Sequence, residues 1–271
     1  VAAGGEPATG GAASGGVASS GAASNAAGSG NAAGEGGEAP SEPERGPLTA
    51  FLAGDSTVST YADTASPGDQ AGWGQMLPAF FDDLVTVDNR AIGGRTSRRF
   101  IEEGHLDAIW EDIASGDYLF VQFGTNDGNK SATYELDGQT IPYYLDPSTD
   151  FKTYLRKYVD GARERGATPV LVTPPPRNSA YCIGGNGTGG HAQAMRELGA
   201  AEDVTVLDLN TQSVEYLKAI CPAPTPENFF FLRPNGTVDG THFQEAGARK
   251  LAGIVALELA ASELPLAGYL Q

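Results

Sequence analysis

The sequence predicts an α/β domain: a mostly parallel sheet of five strands with helices on both faces. Short apolar runs of strand length alternate with amphipathic stretches of helical period from residue 48 to residue 259. Several of these runs stop at a glycine or proline followed by polar residues, as strands that end in loops do. About 225 residues carry this pattern, a length that suits one domain with a sizeable core.

The elements follow in order. Leu48 to Ala53 is an apolar run that closes at Gly54, and Asp55, Ser56 and Thr57 follow. It reads as a short buried strand, with Gly54 supplying backbone angles closed to other residues at a sharp turn. Residues 57–72 are loop-like. Trp73 to Phe81 reads as a short amphipathic helix. Leu84 to Val87 is a second strand, leading into a Gly93-Gly94 turn and then Thr96 and Ser97, each able to cap a following helix. A helix is expected over 105–114. Asp117 to Phe123 reads as a buried strand that ends in Gly124-Thr125-Asn126-Asp127-Gly128. Residues 129–149 form an insertion carrying Tyr134, Tyr143 and Tyr144, which either lines a substrate groove or packs on the domain. Phe151 to Arg165 repeats apolar residues at helical spacing, and Gly166 ends it. Thr168 to Thr173 is a strand stopped by three prolines. A Gly-rich loop, a helix near 190–200 and a strand from Val204 to Asp208 follow. Asn235 to Phe243 reads as a loop that enters a last helix, about Gln244 to Leu259. Strand–helix alternation of this kind implies right-handed crossovers.

The first 46 residues stand apart. They contain almost only Gly, Ala, Ser, Asn, Pro and Glu, with no aromatic residue and no Leu, Ile or Met. Such a stretch buries too little apolar surface to offset its ordering entropy. We read 1–46 as a disordered linker and 47–271 as the folded domain. The whole chain of 271 residues has 17 basic and 34 acidic side chains, a net charge of −17. That balance speaks against nucleic acid, which needs basic clusters, and against an anionic membrane surface. It leaves room for an anionic polysaccharide faced by local arginines. No apolar run is long enough to span a membrane, so no membrane insertion by the globular part is expected. The flexible, acidic start resembles a trimmed exported chain, secreted or tethered at the cell surface. Cys182 and Cys221 lie in loop-like sequence; in an exported chain they pair, in a cytosolic one they are two unrelated thiols, and a disulfide is the expectation. A monomer is expected.

Four short stretches carry the chemistry. A serine hydroxyl is a weak nucleophile until a base takes its proton, so Ser56 at a strand end needs partners. The histidines are His105, His191 and His242. His105 falls at a helix start and His191 after a glycine loop, both structural or surface positions. His242 has Asp239 three residues earlier, a spacing that lets the carboxylate meet one imidazole nitrogen while the other points outward. The backbone N–H of Gly94 and the side-chain amide of Asn126 offer donors for an oxyanion. Taken singly, each stretch is explained as well by an ordinary turn. Asp55 and Asp127 read as loop-holding residues. Arg95 either pairs with a nearby acid or faces a uronate.

Together and in order, Gly54-Asp55-Ser56, Gly94, Gly124-Thr125-Asn126-Asp127 and Asp239-Gly240-Thr241-His242 resemble the four blocks of the SGNH (GDSL-type) hydrolases. Gly72-Trp73-Gly74-Gln75-Met76-Leu77, Asn89 to Ser97, Gly116-Asp117-Tyr118 and Asp239 to Phe243 with Gly247-Ala248 are similar to rhamnogalacturonan acetylesterases. The resemblance covers about residues 48 to 260. It departs at Thr125, where those esterases usually carry His, and in the loop 178–190. It implies a three-layer α/β/α fold and a carboxylic ester hydrolase. In this reading Ser56 is the nucleophile, His242 the base, and Asp239 its orienter. The oxyanion hole is Ser56 N–H, Gly94 N–H and Asn126. It implies no metal and no cofactor, and an acetylated polysaccharide or oligosaccharide, most of all pectic rhamnogalacturonan, as substrate. The alternatives are acetylated xylan or another O-acetylated sugar, a lipase or lysophospholipase, or a non-catalytic carbohydrate-binding protein. No long apolar insertion offers room for an acyl chain, and none of the Ser, Asn, Asp and His is lost.

Overall fold

The computed structural model describes residues 45–62, 70–178, 187–220 and 229–271. Residues 1–44, which make up nearly all of the expected linker, and both cysteines of the expected disulfide lie outside the described residues.

In chain order the compact unit, Arg45–Gln271, contains β1 (Leu48–Gly54), β2 (Gln70–Ala71), α1 (Trp73–Met76), β3 (Val85–Asn89), α2 (Ser97–Glu102) and α3 (His105–Asp112). It continues with β4 (Tyr118–Gln122), β5 (Thr133–Leu136), β6 (Gln139–Pro142), α4 (Asp150–Glu164) and β7 (Thr168–Val172). It closes with α5 (Gly189–Glu202), β8 (Thr205–Leu207), α6 (Leu209–Ile220), β9 (Phe230–Leu232), β10 (Val238–Gln244) and α7 (Glu245–Ala260). The central sheet has five parallel strands in the order β3-β1-β4-β7-β8. From β1 the chain goes to one neighbour, β3, and then returns across to the other, β4. The strand order therefore reverses at β1, and in open α/β sheets the crevice at the carboxyl ends of such strands is where ligands bind.

Strand alternation divides the core into two layers. Ala50 and Leu52 of β1, Phe120 of β4, and Val170 and Val172 of β7 face the layer that holds Trp73 of α1, Leu217 of α6 and Leu251 and Val255 of α7. Their neighbours Phe51, Ala53, Leu119, Val121 and Leu171 face the layer that holds Phe100, Ile109, Leu155 and Met195 of α2 to α5. The α/β/α sandwich expected from the sequence is the one observed. Within it, the expected helix Trp73 to Phe81 is one α-turn followed by a 3-10 helix over Leu77–Phe80, because Pro78 interrupts the α pattern.

Two regions differ from the expectation. Within 129–149, β5 and β6 form an antiparallel hairpin. Its turn is Asp137-Gly138, both with positive φ (50° and 75°), the pattern of a type I′ turn. The segment expected as a loop before the last helix is strand β10, paired antiparallel with β2 and β9 in a small second sheet. Its register shifts between Val238 and Phe243. Side chains three apart on a regular strand point to opposite faces, so this irregularity is what lets Asp239 and His242 converge.

Candidate active site

Ser56 lies just beyond β1, in a turn closed by Val58 N–H and Ser59 N–H donating to Asp55 O, both at 3.1 Å. Gly54 is required there for packing. Its φ lies outside the left-handed region, contrary to the expectation from sequence. A β-carbon at this position would come within 2.6 Å of Val58 Cγ2 and 3.0 Å of the Gln122 carbonyl oxygen. A side chain would push the strand end away from β4. Ser56 itself is nearly buried, and the Tyr61 hydroxyl donates to its carbonyl oxygen at 2.8 Å.

His242, which shares no sequence neighbourhood with Ser56, meets it directly: His242 Nε2 and Ser56 Oγ are 3.0 Å apart. On the other side of the ring, His242 Nδ1 is 3.1 Å from Asp239 Oδ1. The same carboxylate oxygen accepts from the backbone N–H of Thr241 at 2.6 Å and of His242 at 2.9 Å. The other oxygen, Oδ2, accepts two N–H groups of Arg233, from Nε at 3.0 Å and Nη2 at 2.7 Å. Burial alone would raise the Asp239 carboxyl. The His242 backbone N–H, the Arg233 guanidinium, the nearby imidazole and the Thr241 N–H hold it at about 2 instead. Asp239 is therefore ionised across the neutral range. A carboxylate so placed fixes the imidazole tautomer and leaves Nε2 free to take a proton.

The two candidate oxyanion donors come from the ends of β3 and β4. A β-carbon on Gly93 would come 3.6 Å from Ser56 Cβ, which puts the Gly93-Gly94 turn against the serine. Gly94 has φ +76°, a conformation that other residues adopt only with strain. Thr96 caps α2 by accepting from Arg99 N–H at 3.0 Å, as its position in the sequence suggested. The Asn126 amide donates one N–H to Arg95 O at 3.0 Å, which leaves the other N–H uncommitted to that carbonyl. Asp127 ties the two loops together. It accepts from Ser97 N–H at 2.8 Å, Ser97 Oγ–H at 2.6 Å and Gly124 N–H at 2.9 Å. Burial nonetheless pushes its carboxyl up to about 6, against the lowering effect of those donors.

Sequence reasoning missed Arg233 and Arg177. Arg233 ends up beside Asp239 because the β9–β10 hairpin turns at Arg233–Thr237, with Arg233 N–H donating to Thr237 O at 2.9 Å. Arg177 bridges two loops of the site. Its Nη2 donates to Thr125 O at 2.9 Å and its Nη1 to Thr241 Oγ at 2.7 Å. Asn178 adds bonds to Gly240 O at 3.0 Å and Asp239 O at 3.1 Å. The signal in the sequence was faint: two polar residues just past Pro174-Pro175-Pro176, where a strand had ended. Arg95 takes the acid-paired option, with Nε donating to Glu103 Oε2 at 2.7 Å. His191 is buried, its Nε2 lies 3.1 Å from Leu145 O, and it packs against Gly124 and Gly128 at the two ends of the Asn126 loop. Among the described residues, no group of three His, Cys, Asp or Glu side chains is arranged to hold a metal ion.

A serine at the end of a parallel-sheet strand, joined to a histidine and an aspartate of β10 in one hydrogen-bonded run, matches a known class. The GDSL-like lipase/acylhydrolase family model matches residues 52–250, and the chain belongs to that family of carboxylic ester hydrolases. It is 38% identical over 220 residues to the probable rhamnogalacturonan acetylesterase YesY of Bacillus subtilis (strain 168), a match covering 80% of this chain and 94% of that one. It is 37% identical over 236 residues to the rhamnogalacturonan acetylesterase RhgT of the same organism, covering 83% and 94%. Among solved structures, the Bacillus subtilis protein YxiM superposes with a TM-score of 0.67 at 30% identity, over 81% of this chain and 58% of that one. The acetylxylan esterase Axe2 from Geobacillus stearothermophilus shares the fold, with a TM-score of 0.54 at 20% identity over 79% and 94%. No helix of the described residues is long and apolar enough to cross a membrane.

Proposed function

We propose that the protein is a serine esterase that removes O-acetyl groups from a plant cell-wall polysaccharide, with acetylated rhamnogalacturonan as its substrate. The observation that carries the mechanism is the run from Ser56 Oγ to His242 Nε2 at 3.0 Å and from Nδ1 to Asp239 at 3.1 Å. Ser56 Oγ attacks the acetyl carbonyl carbon while His242 Nε2 takes its proton. The carbonyl π pair moves onto oxygen, and that oxyanion is met by the N–H groups of Ser56 and Gly94 and the Asn126 amide. Collapse breaks the bond to the sugar oxygen, which leaves with the proton from His242. The acetyl group remains on Ser56. A water then gives its proton to His242 and attacks the acetyl-serine. Acetate departs and Ser56 recovers its proton from the imidazolium. Asp239 holds the ring throughout and stabilises each imidazolium.

The substrate class is supported by the two relatives, each matched over 94% of its length at 37–38% identity. A polymer of this size is met outside the cell. In this reading the protein is secreted or held at the surface, acts as a monomer, and uses residues 1–46 as a spacer. The test is acetate release by the wild type and Ser56→Ala from p-nitrophenyl acetate, acetylated rhamnogalacturonan and acetylated xylan. Release from the pectic polymer that is lost in Ser56→Ala supports the whole reading. Release only from xylan or the small ester keeps the serine and moves the substrate.

A further inference from the structure

The Gly93-Gly94 turn has Ser56 on one side and a tyrosine on the other. A β-carbon placed on Gly94 would meet one atom within 4 Å, the Tyr143 hydroxyl at 4.0 Å. Open space beside the oxyanion loop is therefore bounded by a phenol. That phenol is held on all sides. Arg99 Nη1 donates to its hydroxyl at 2.7 Å. Arg99 is fixed in turn by Glu103, whose carboxylate accepts from Arg99 Nε and Arg95 Nε, each at 2.7 Å. Tyr143 N–H donates to Ala132 O at 2.8 Å, and its ring meets Tyr134 edge-on at 5.8 Å between centroids. Tyr134 is anchored through its hydroxyl to Glu102 of α2, and Arg98 of the same helix bonds to Pro142 O. The β5–β6 insertion is thus pinned to α2, and the residue just beyond it is set beside Gly94.

A tyrosine hydroxyl has one proton to give and two lone pairs to accept with, whereas a guanidinium only donates. The Arg99 bond therefore uses a lone pair. The Tyr143 proton has no acceptor among the described residues. A positioned donor, polarised by a cation, stands at Gly94, whose neighbour Gly93 packs against Ser56. An acetyl group has one carbonyl oxygen, and the Gly94 and Asn126 donors take it. A sugar offers ring and hydroxyl oxygens besides; a nitrophenyl group offers neither.

We propose that Tyr143 determines specificity for carbohydrate esters, its hydroxyl donating to an oxygen of the sugar that bears the acetyl group. This rests on the reading of the chain as a carbohydrate acetylesterase. A site built to hydrogen-bond a substrate oxygen discriminates against esters that lack it.

The experiment compares wild type and Tyr143→Phe by the ratio of kcat/KM on an acetylated glycan to kcat/KM on p-nitrophenyl acetate. The glycans are acetylated rhamnogalacturonan, acetylated xylan and glucose pentaacetate. Because both numbers come from one preparation, the folded fraction cancels. The expected result is a ratio lower by about tenfold in Tyr143→Phe, the scale of one well-placed hydrogen bond. A wild type that hydrolyses a glycan, with the ratio unchanged in the variant, overturns this inference and leaves the carbohydrate esterase reading standing. Equal losses on both substrates give that same unchanged ratio. A wild type that releases acetate from none of the glycans overturns the inference together with the reading beneath it.

Discussion

Asp55, next to the nucleophile, is fully buried, and replacing it with asparagine makes a measurable prediction about stability. Its Oδ1 accepts from Thr57 N–H at 2.9 Å and Thr57 Oγ–H at 2.8 Å. Its Oδ2 is buried and has no hydrogen-bond partner among the described residues. Burial, offset in part by the two Thr57 bonds, raises the carboxyl from 3.8 to about 6. At about 1.4 kcal/mol for each tenfold change, ionising Asp55 costs the folded state about 3 kcal/mol. The raised value means the folded state binds the proton more tightly than the unfolded chain. The penalty is therefore absent below about pH 4, grows as pH rises through the window up to about 6, and is constant above it. The substituted asparagine carries no charge at any pH. It places an amide N–H where Oδ2 had no partner, a roughly pH-independent cost of about 1–3 kcal/mol. The unfolding free energy of Asp55→Asn minus that of wild type should thus become more favourable by about 3 kcal/mol between roughly pH 4 and pH 8. Urea unfolding of both proteins at the two pH values measures it. A difference that does not change with pH would mean that Asp55 is as easily ionised folded as unfolded, against the raised value.

Two further substitutions test the site itself. Asp239→Asn loses one acceptor atom of a carboxylate that serves five N–H groups, so the amide must abandon either Arg233 or His242. We expect kcat to fall by ~10³–10⁴ through loss of the correct imidazole tautomer; a fall under tenfold would separate Asp239 from the reaction. Asn126→Ala is expected to lower kcat on p-nitrophenyl acetate by ~10²–10³, with KM changing much less. A change confined to KM would make Asn126 a binding group and not an oxyanion donor.

Much of the fold was legible because the central strands are short runs rich in apolar residues, three of them (β1, β4 and β7) closed by Gly or Pro. Buried parallel strands declare themselves in this way. The serine, glycine, asparagine and histidine stretches could be picked out because each follows a strand or precedes a helix. What the sequence hid was tertiary. Arg233 and Arg177 reach the site from a hairpin and from the residue after a triple proline, and no local periodicity marks either. Strand β10 was hidden by its own irregularity: Asn235-Gly236 and Gly240 look like turn residues, and the register shift breaks the alternation that identifies a strand. The β5–β6 hairpin did carry a signal, Asp137-Gly138 between two strand-forming stretches, which the length of the insertion obscured. Gly54 was correctly singled out, but for backbone freedom, when the reason is the missing β-carbon between Val58 and Gln122.

The step on which the proposed mechanism turns is the passage of acetyl through Ser56. It is tested most directly by acid-quenching the enzyme during turnover of p-nitrophenyl acetate, digesting it, and locating the acetyl ester by mass spectrometry. Acetylation is expected on the peptide containing Ser56, absent from Ser56→Ala together with acetate release. Acetate release that continues undiminished in Ser56→Ala would contradict it.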